Sequence, residues 1–329
     1  MTDSVPPANT PANAPSLAMV GLGRMGANMA RRLAAHGAVV HGHDPSDAAR
    51  AAVADTHAEY PVTLHETLES AVAALPAPRM VWLMLPAGEV TARTLDRLRP
   101  MLARGDIVID GGNANYLDSQ ARGAALARDG IGFVDCGVSG GVWGLANGYC
   151  LMFGAEAGTA RRVAPLMERL AVSVRDGWLH CGPIGSGHFV KMIHNGIEYG
   201  MMQSIAEGFA LMAGKPEFEL PLAQVGELWR HGSVVRSWLL DLTAEALRDP
   251  EAMDRLAPVV ADSGEGRWTV DEAIRQGTPA PVIAMALMSR FDSQGKADTA
   301  NRLLALMRRG FGGHGVVAAK AGAPSAPRQ

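Results

Sequence analysis

The feature that most constrains the fold is a glycine-rich turn near the start of the chain. Gly21, Gly23 and Gly26 form a G-x-G-x-x-G motif directly after the short apolar segment 17–20 and before a helical pattern that runs to about Ala35. The first glycine permits a tight turn, the second lets a pyrophosphate approach the backbone, and the third allows close helix packing. Because the first turn of a helix also offers N–H groups and partial positive charge, the motif predicts dinucleotide binding. The alternative is a glycine-rich turn without chemical use. The candidate ligands are Gly21, Leu22, Gly23, Arg24, Met25 and Gly26.

The apolar segments that follow extend this motif into an α/β domain. Short segments at 38–43, 80–85, 107–110 and 132–135 alternate with helical patterns. Such alternation predicts a parallel sheet with helices on both faces, that is, a Rossmann-type N-terminal domain. Glycine, asparagine and serine cluster after these segments, where ligands bind in such sheets.

The strand signal fades after about residue 182, and long helical patterns predict a mainly α-helical C-terminal domain. The expected helices cover 186–213, 222–230, 234–247, 270–276, 281–290 and 296–309. We therefore expect four regions: a disordered extension over 1–16, a dinucleotide-binding domain over 17–181, a helical substrate and oligomerisation domain over 182–315, and a flexible tail over 316–329.

Asp44, at the end of the second apolar segment, indicates which dinucleotide binds. It lies 23 residues after Gly21, close to the usual interval for an acidic residue that accepts hydrogen bonds from a ribose. A 2′-phosphate at that position would be repelled, and no basic side chain follows before Arg50. We therefore predict NAD and disfavour NADP. The alternative for Asp44 is a helix N-cap.

Composition excludes several classes of function. The formal net charge of the 329-residue chain is −3 with no long run of like charge, which argues against nucleic-acid binding. No segment free of charges and glycines is long enough to span a membrane. Cys136, Cys150 and Cys181 are widely spaced, without the pairing of a zinc site. We predict no metal and a cytoplasmic, reducing location.

A row of polar side chains at helical spacing lies in the predicted C-terminal domain. Lys191, His194, Asn195, Glu198 and Tyr199 follow the i, i+3, i+4, i+7, i+8 pattern that usually carries an apolar helix face. At about 100° per residue they share an arc of roughly 140°. A solvated face would favour many Lys and Glu residues, and a core face would carry Leu, Ile and Val. The row therefore predicts the wall of a polar active site.

The chemistry of this row suits a nicotinamide-dependent alcohol oxidation. Such a reaction needs a base for the hydroxyl proton, and burial can lower the pKa of a lysine until it serves as one. Lys191 could be that base, and Glu198 could protonate carbon. His194 and Asn195 would orient substrate, and Tyr199 would donate to an anionic end. Taken alone, Lys191 and Glu198 would be interpreted as an exposed pair; the complete row after a G-x-G-x-x-G domain favours catalysis.

The same row carries a family resemblance. Residues 191–203, K-M-I-H-N-G-I-E-Y-G-M-M-Q, resemble the K-M-V-H-N-G-I-E-Y-G-D-M-Q signature of decarboxylating 6-phosphogluconate dehydrogenases. Segments 21–28, 109–113 and 138–141 agree with that family, and the resemblance runs over about 17–314. The chain is similar to the short, NAD-preferring form, whose helical domain is smaller than that of the longer NADP enzymes. Those longer enzymes carry Asn-Arg-Thr where this chain has Asp44, Pro45 and Ser46, which agrees with the prediction of NAD.

The resemblance implies oxidative decarboxylation of 6-phospho-D-gluconate to D-ribulose 5-phosphate and CO2 with NAD, in the pentose phosphate pathway and gluconate utilisation. Lys191 would take the C3 hydroxyl proton and later protonate the keto oxygen, and Glu198 would protonate C1 of the enediol, with Asn195 beside them. The implied substrate contacts are Asn113, Ser139, Gly140, Gly141, His194 and Asn195. The implied 6-phosphate ligands are Tyr199 and Arg290. The further implied cofactor contacts are Leu85, Pro86, Ala87 and Asn113.

The end of the chain also resembles the family. Arg308 and His314 match a tail that reaches the active site of a neighbouring subunit, which implies a homodimer or homotetramer. The alternative for Arg308 and Arg309 is the charged end of a C-terminal helix.

One departure from the family leaves the substrate open. Ser263 stands where long members have a phosphate-binding lysine, and the segment 261–269 is acidic. Phosphate capture would then depend more on Arg290, Arg308 and His314, or the substrate would be unphosphorylated gluconate.

Two further functions remain as alternatives. A β-hydroxyacid dehydrogenase of the 3-hydroxyisobutyrate type shares the glycine-rich loop, the Ser-Gly-Gly turn and the spacing of Lys191 and Asn195. It has no need of Glu198 or of the turn at 110–113, so their presence favours decarboxylation. A non-catalytic NAD-sensing module would not require both Lys191 and Glu198.

Overall fold

The structure, a computed structural model, describes residues 14–249, 251, 253–312 and 317. The chain divides into two compact units that meet in the sequence between Met192 and Ile193. The first unit is α/β and the second is helical, so the predicted fold class is confirmed.

Within the described residues of the first unit, eight strands form one sheet. They are β1 Ser16–Val20, β2 Val39–His43, β3 Val62–His65, β4 Met80–Leu83, β5 Ile107–Asp110, β6 Gly132–Ser139, β7 Cys150–Ala155 and β8 Trp178–Gly182. Their order is β3-β2-β1-β4-β5-β6-β7-β8, and every neighbouring pair is parallel except β6 and β7. The strand order reverses between β1 and β4, which is where an open sheet of this kind binds a nucleotide.

Helices pack on both faces of this sheet and bury its apolar side chains. They are α1 Arg24–Ala35, α2 Asp47–Ala54, α3 Leu68–Ala73, α4 Glu89–Leu98, α5 Tyr116–Ala127, α6 Gly144–Asn147 and α7 Ala157–Leu170. One core contains Met29 and Leu33 of α1 with Leu166 and Leu170 of α7, all fully buried. The opposite core contains side chains of α3, α4 and α5, among them Leu68, Val72, Leu95, Leu98 and Leu126. Burial on both faces explains why the parallel strands are continuous apolar runs.

The second unit is built from helices in its described residues. They are the long α8 Ser186–Ala213, which begins in the first unit, α9 Leu222–Arg230, α10 Trp238–Ala246, α11 Glu265–Gln276, α12 Pro281–Ser293 and α13 Asp298–Gly312. Tyr199 of α8 packs with Ala286 and Leu287 of α12, and Val270 and Phe291 lie against them. Tyr199 is therefore part of a small core as well as of the polar row.

Several element boundaries differ from the sequence-based expectation. Helix α10 begins at Trp238 and not at 234, because the Ser237 hydroxyl accepts the Leu240 N–H at 3.2 Å and caps the helix there. Helix α11 begins at Glu265 and not at 270, directly after Gly264, whose φ of +104° suits glycine.

The sheet also extends beyond its expected strands. Strands β3, β7 and β8 were not expected, and β6 continues to Ser139, past the predicted end at 135, because it pairs with β7. Strand β1 begins at Ser16, the last residue assigned to the extension, while β4 ends at Leu83, before the expected 85.

The start of α8 is fixed to the sheet by a buried carboxylate. Asp135 of β6 is fully buried and accepts the backbone N–H groups of Gly185 at 2.6 Å and His188 at 2.8 Å. Burial raises the pKa of Asp135, although the charge of His188 and the N–H donors oppose this. A side chain at Gly187 would lie 2.6 Å from the Met152 carbonyl oxygen and 2.7 Å from the Gly154 nitrogen. Only glycine therefore allows the helix to lie this close to the strands.

We expect Asp135→Asn to lower the free energy of unfolding by about 1–3 kcal/mol. An amide has one acceptor oxygen for two N–H donors, and its NH2 group would face the second donor inside a buried site. Urea denaturation measures the change, with Asp96→Asn on the exposed side of α4 as the matched control. Equal midpoints for the two variants would show that Asp135 does not hold the helix.

Candidate active site

The glycine-rich loop has the geometry of a dinucleotide site. Gly21 has a φ of +94° and donates its N–H to the His43 carbonyl at 2.8 Å. A Cβ at Gly26 would overlap the Gly21 carbonyl, so these two glycines are required by packing. A Cβ at Gly23 would meet nothing within 4 Å, and Gly23 is the N-cap of α1 without a side-chain capping bond. The middle glycine therefore faces open space that a pyrophosphate could approach.

Asp44 is held at the carboxyl end of β2 by backbone donors. Its Oδ2 accepts the Leu22 N–H and its Oδ1 accepts the Ser46 N–H, each at 2.8 Å. The cap of α2 is Ser46, whose hydroxyl accepts the Ala49 N–H, so the N-cap alternative for Asp44 is wrong. Arg50 donates to the Asp44 carbonyl at 2.6 Å and pairs with Asp47. The Asp44 carboxylate thus joins the glycine-rich loop to the turn before α2.

The loops after β4 and β5 lie against each other at the same edge of the sheet. A Cβ at Gly112 would lie 2.5 Å from the Leu85 carbonyl oxygen. The buried Asp110 shapes the second loop: it accepts the Gly112 N–H at 3.2 Å and pairs with Arg122 at 2.9 Å. Pro86, Ala87 and Asn113 are exposed beyond these contacts. The expected cofactor loop and the turn at Asn113 are therefore adjacent.

The Ser-Gly-Gly turn follows β6 and lies close to α1. Gly140 and Gly141 have φ angles of +127° and +53°, which glycine tolerates. The Asn28 side chain of α1 donates to the Val142 carbonyl at 3.4 Å. Because α1 starts at the glycine-rich loop, the turn that carries Ser139 lies on the nucleotide side of the sheet.

Lys191 is packed against β6. Its side chain is 7% exposed, and a Cβ at Gly137 would lie 2.8 Å from the Lys191 Cγ. One helical turn earlier, the buried His188 has its Nδ1 2.7 Å from the Ser119 hydroxyl. The lysine stem is therefore closely confined between the helix and the backbone of the strand.

The polar side chains of His194, Asn195 and Glu198, on the next turns of α8, belong to the second unit and are less buried than Lys191. His194 Nδ1 lies 3.0 Å from the Asn195 Oδ1 and 3.8 Å from a carboxylate oxygen of Glu198. His194 and Glu198 each have about two fifths of their side chains exposed (38% and 41%). These three groups form a half-exposed polar patch along one side of the helix.

Tyr199 and Arg290 are in direct contact. The guanidinium carbon of Arg290 lies 3.4 Å from the centre of the Tyr199 ring, and Arg290 donates to the Ala261 carbonyl at 2.9 Å. The Tyr199 hydroxyl donates to Asp262 at 3.5 Å. The Ser263 hydroxyl donates to Glu265 at 2.6 Å. The two expected phosphate ligands thus occur together beside an acidic loop.

Other sequence-based expectations concern the periphery of the chain. Arg308 lies exposed on α13, and His314 lies outside the described residues. In the part of the chain that the structure describes, no group of three or more His, Cys, Asp or Glu side chains could hold a metal ion. No helix among the described residues has the length and apolar character needed to cross a membrane.

Sequence reasoning missed two groups that shape the site. Asp135 supports the start of α8, and its only signal was an acidic residue at the end of an apolar strand. Arg267 pairs with Asp262 near Tyr199, and nothing in its spacing distinguished it from a surface arginine.

Both halves of the chain match one family. Residues 16–179 match the NAD binding domain of 6-phosphogluconate dehydrogenase, and residues 187–311 match the 6-phosphogluconate dehydrogenase C-terminal domain. The fold and the glycine-rich site place the chain in the class of two-domain nicotinamide-nucleotide dehydrogenases.

Individual relatives agree with this class. The NAD(+)-dependent decarboxylating 6-phosphogluconate dehydrogenase of Haloferax volcanii is 39% identical over 91% of this chain and 98% of its own length. The putative 6-phosphogluconate dehydrogenase YqeC of Bacillus subtilis is 38% identical over the same shares. The 6-phosphogluconate dehydrogenase structure of Plasmodium falciparum aligns with a TM-score of 0.79 at 27% identity, covering 93% of this chain and 67% of its own. The chain belongs to the 6-phosphogluconate dehydrogenase family.

Proposed function

We propose that this protein oxidises and decarboxylates 6-phospho-D-gluconate to D-ribulose 5-phosphate and CO2 with NAD. The observation that carries the proposal is a single helix, α8, on which a buried lysine is followed two turns later by a half-exposed glutamate. A base and a carbon acid at fixed separation suit a reaction with more than one proton transfer. Membership of the family supports the same reaction.

NAD fits the residues at the β1–β4 edge. The open space at Gly23 would receive the pyrophosphate at the start of α1, with Leu22, Arg24 and Met25 around it. Asp44 would accept hydrogen bonds from the adenosine ribose. The rest of the NAD molecule would contact Leu85, Pro86, Ala87 and Asn113. When bound, NAD accepts the hydride from C3 of the substrate.

Lys191 is the proposed base. It takes the proton of the C3 hydroxyl as the hydride leaves C3, which produces a 3-keto acid. The bond between the carboxyl carbon and its neighbour then breaks, CO2 departs, and the electron pair forms an enediol. Lys191 returns its proton to the former keto oxygen and so stabilises the developing negative charge. Glu198 finally protonates the carbon that becomes C1 of ribulose 5-phosphate.

The remaining side chains are proposed to orient the sugar acid. Asn113, Ser139, Gly140 and Gly141 would contact it from the α/β unit. His194 and Asn195, already 3.0 Å apart, would bind its hydroxyls and carboxylate. Tyr199 and Arg290 would hold the 6-phosphate, because a guanidinium stacked on a ring is oriented in advance.

We also propose that the protein acts as a homodimer or homotetramer. Leu303, Leu306 and Met307 of α13 follow helical spacing, yet each is more than half exposed. Apolar side chains in such a row favour a protein partner. A tail with Arg308 and His314 would then reach the active site of a neighbouring subunit. A cytoplasmic location stays a prediction from the sequence.

The 3-hydroxyisobutyrate-type and gluconate alternatives are distinguishable from this proposal in one assay. The purified protein is incubated with 6-phosphogluconate, gluconate or 3-hydroxyisobutyrate, each with NAD or NADP, while reduced cofactor and CO2 are followed together. We expect equal amounts of NADH and CO2 from 6-phosphogluconate, because oxidation and decarboxylation are coupled. Cofactor reduction without CO2 would reject the mechanism. A complete lack of turnover would favour the NAD-sensing alternative.

Because Lys191 and Glu198 have separate roles, substitution of each should impair a different step of the reaction. Lys191→Met should abolish NADH formation, because no base remains for the first step. Glu198→Gln should reduce overall turnover by about 10²–10⁴-fold, the usual contribution of a general acid. Solvent tritium or deuterium incorporation at C1 of the product measures the second step. Glu207→Gln, the same substitution at an exposed position of the same helix, serves as the control.

Asp44 should set the cofactor preference. Asp44→Asn removes the charge that repels a 2′-phosphate, so we expect the ratio of kcat/KM for NAD over NADP to fall by about tenfold or more, equivalent to about 1.4 kcal/mol. Asp55→Asn, exposed at the end of α2, is the matched control. An unchanged ratio in the Asp44 variant would make the ribose assignment wrong.

A further inference from the structure

Two positively charged side chains that have no role in the proposed function lie against one aromatic ring of the second unit. Arg267, in the first turn of α11, pairs with Asp262, and its guanidinium carbon lies 4.4 Å from the centre of the Phe291 ring. The Nζ of Lys296 lies 5.0 Å from the centre of the same ring. Arg267 and Lys296 therefore both lie next to the Phe291 ring.

A single carboxylate connects these cations to Tyr199 and Arg290. Asp262 accepts from the Tyr199 hydroxyl at 3.5 Å while it pairs with Arg267. Arg290 stacks on the Tyr199 ring and donates to the carbonyl of Ala261, the neighbour of Asp262. Both arginines are therefore next to the same short segment, and each rests on an aromatic ring that limits its orientation.

The balance of charge favours an anion at this place. Burial would raise the pKa of Asp262, but hydrogen bonds from Arg267 and Gly264 and the charge of Lys296 keep this pKa below its usual value. Glu265 is the second carboxylate of the group and is buried, with the Ser263 hydroxyl donating to it. Arg267, Arg290 and Lys296 therefore outnumber Asp262 and Glu265 by one positive charge.

We propose that Arg267 is a ligand of the terminal phosphate of the substrate, acting beside Arg290. The proposal rests on the proposed function. Ser263 stands where long members of the family have a phosphate-binding lysine, and Arg267 would supply the positive charge that Ser263 lacks. The guanidinium leaves Asp262 and turns its N–H groups to the phosphate oxygens, in the bidentate arrangement that arginine makes with phosphate. The Arg267 side chain is 46% exposed, so an incoming anion can reach it, whereas Asp262 is 4% exposed.

In this arrangement the Asp262 carboxylate lowers the affinity of the site for phosphate. Its carboxylate competes with the phosphate for the guanidinium of Arg267 and also repels the phosphate directly. Removal of the charge at Asp262 and removal of the charge at Arg267 should therefore change phosphate affinity in opposite directions. A merely structural ion pair would respond in the same direction to the loss of either partner.

The test compares Arg267→Gln with Arg275→Gln in the full-length protein. Arg275 lies on the same helix with a similar exposed fraction, 53%, and its partner is Glu272. For Arg267→Gln we expect the KM for 6-phosphogluconate and the inhibition constant of inorganic phosphate to rise by about 10- to 100-fold, the effect of losing one charge-assisted hydrogen-bonding group. The KM for NAD should stay unchanged, and Arg275→Gln should resemble the unsubstituted protein. Arg267→Lys should recover part of the loss.

The Asp262→Asn variant should change the same two constants in the opposite direction. Its KM for 6-phosphogluconate and its inhibition constant for phosphate should fall below those of the unsubstituted protein. A rise in both constants, as in Arg267→Gln, would overturn the proposal, because it would make the pair structural. Constants for Arg267→Gln equal to those of Arg275→Gln would overturn it as well. If Arg267→Gln does not fold, Arg267→Lys and Asp262→Asn still decide the outcome through their opposite shifts.

A second measurement separates this inference from the proposed function. Inorganic phosphate should raise the Tm of the unsubstituted protein and of Arg275→Gln, because a ligand that binds the folded state stabilises it. The rise should be lost in Arg267→Gln. If the protein does not turn over 6-phosphogluconate, the proposed function fails, while the phosphate-dependent Tm still decides whether Arg267 binds the anion.

Discussion

The bond between the Asp135 carboxylate and the first N–H groups of α8 is the interaction on which the rest of the site depends. Asp135 is fully buried on β6, and the backbone N–H groups of Gly185 and His188 donate to its two oxygens. Since helix N-termini leave such donors without intrahelical partners, a carboxylate here determines where the helix begins. Lys191 follows one turn later, so its position against Gly137 is a consequence of this contact.

Glycines make the close approach possible. Gly187 on the helix and Gly137 on β6 lie where a Cβ would collide with backbone or with the lysine stem. The same requirement recurs at Gly21 and Gly26, where packing excludes a side chain, but not at Gly23, which faces open space. One residue type therefore serves two purposes: it brings the helix close to the sheet at one place and leaves room for a ligand at another.

Much of this arrangement was accessible to sequence reasoning, because it rests on local patterns. The G-x-G-x-x-G motif and the alternation of apolar segments predicted the α/β unit, and the spacing from Lys191 to Tyr199 predicted a helix with a reactive face. The strands β7 and β8 were not predicted from the sequence, because their assignment depends on pairing with other segments. Strand β7 is also antiparallel to β6. The early start of α11 was not predicted, because it follows from the positive φ of Gly264, and hydrophobic periodicity gives no information about a backbone angle.

The sequence by itself determined which chemical groups stand along one helix face and which turn can receive a dinucleotide, since both depend on residues that are neighbours in the chain. Only the tertiary structure decided the surroundings of those groups. It buries Lys191, leaves Glu198 half exposed, and brings Asp262 to a tyrosine 63 residues away. The physical reason is that burial and ion pairing depend on how distant segments pack, and the periodicity of a single segment carries no information about its partner.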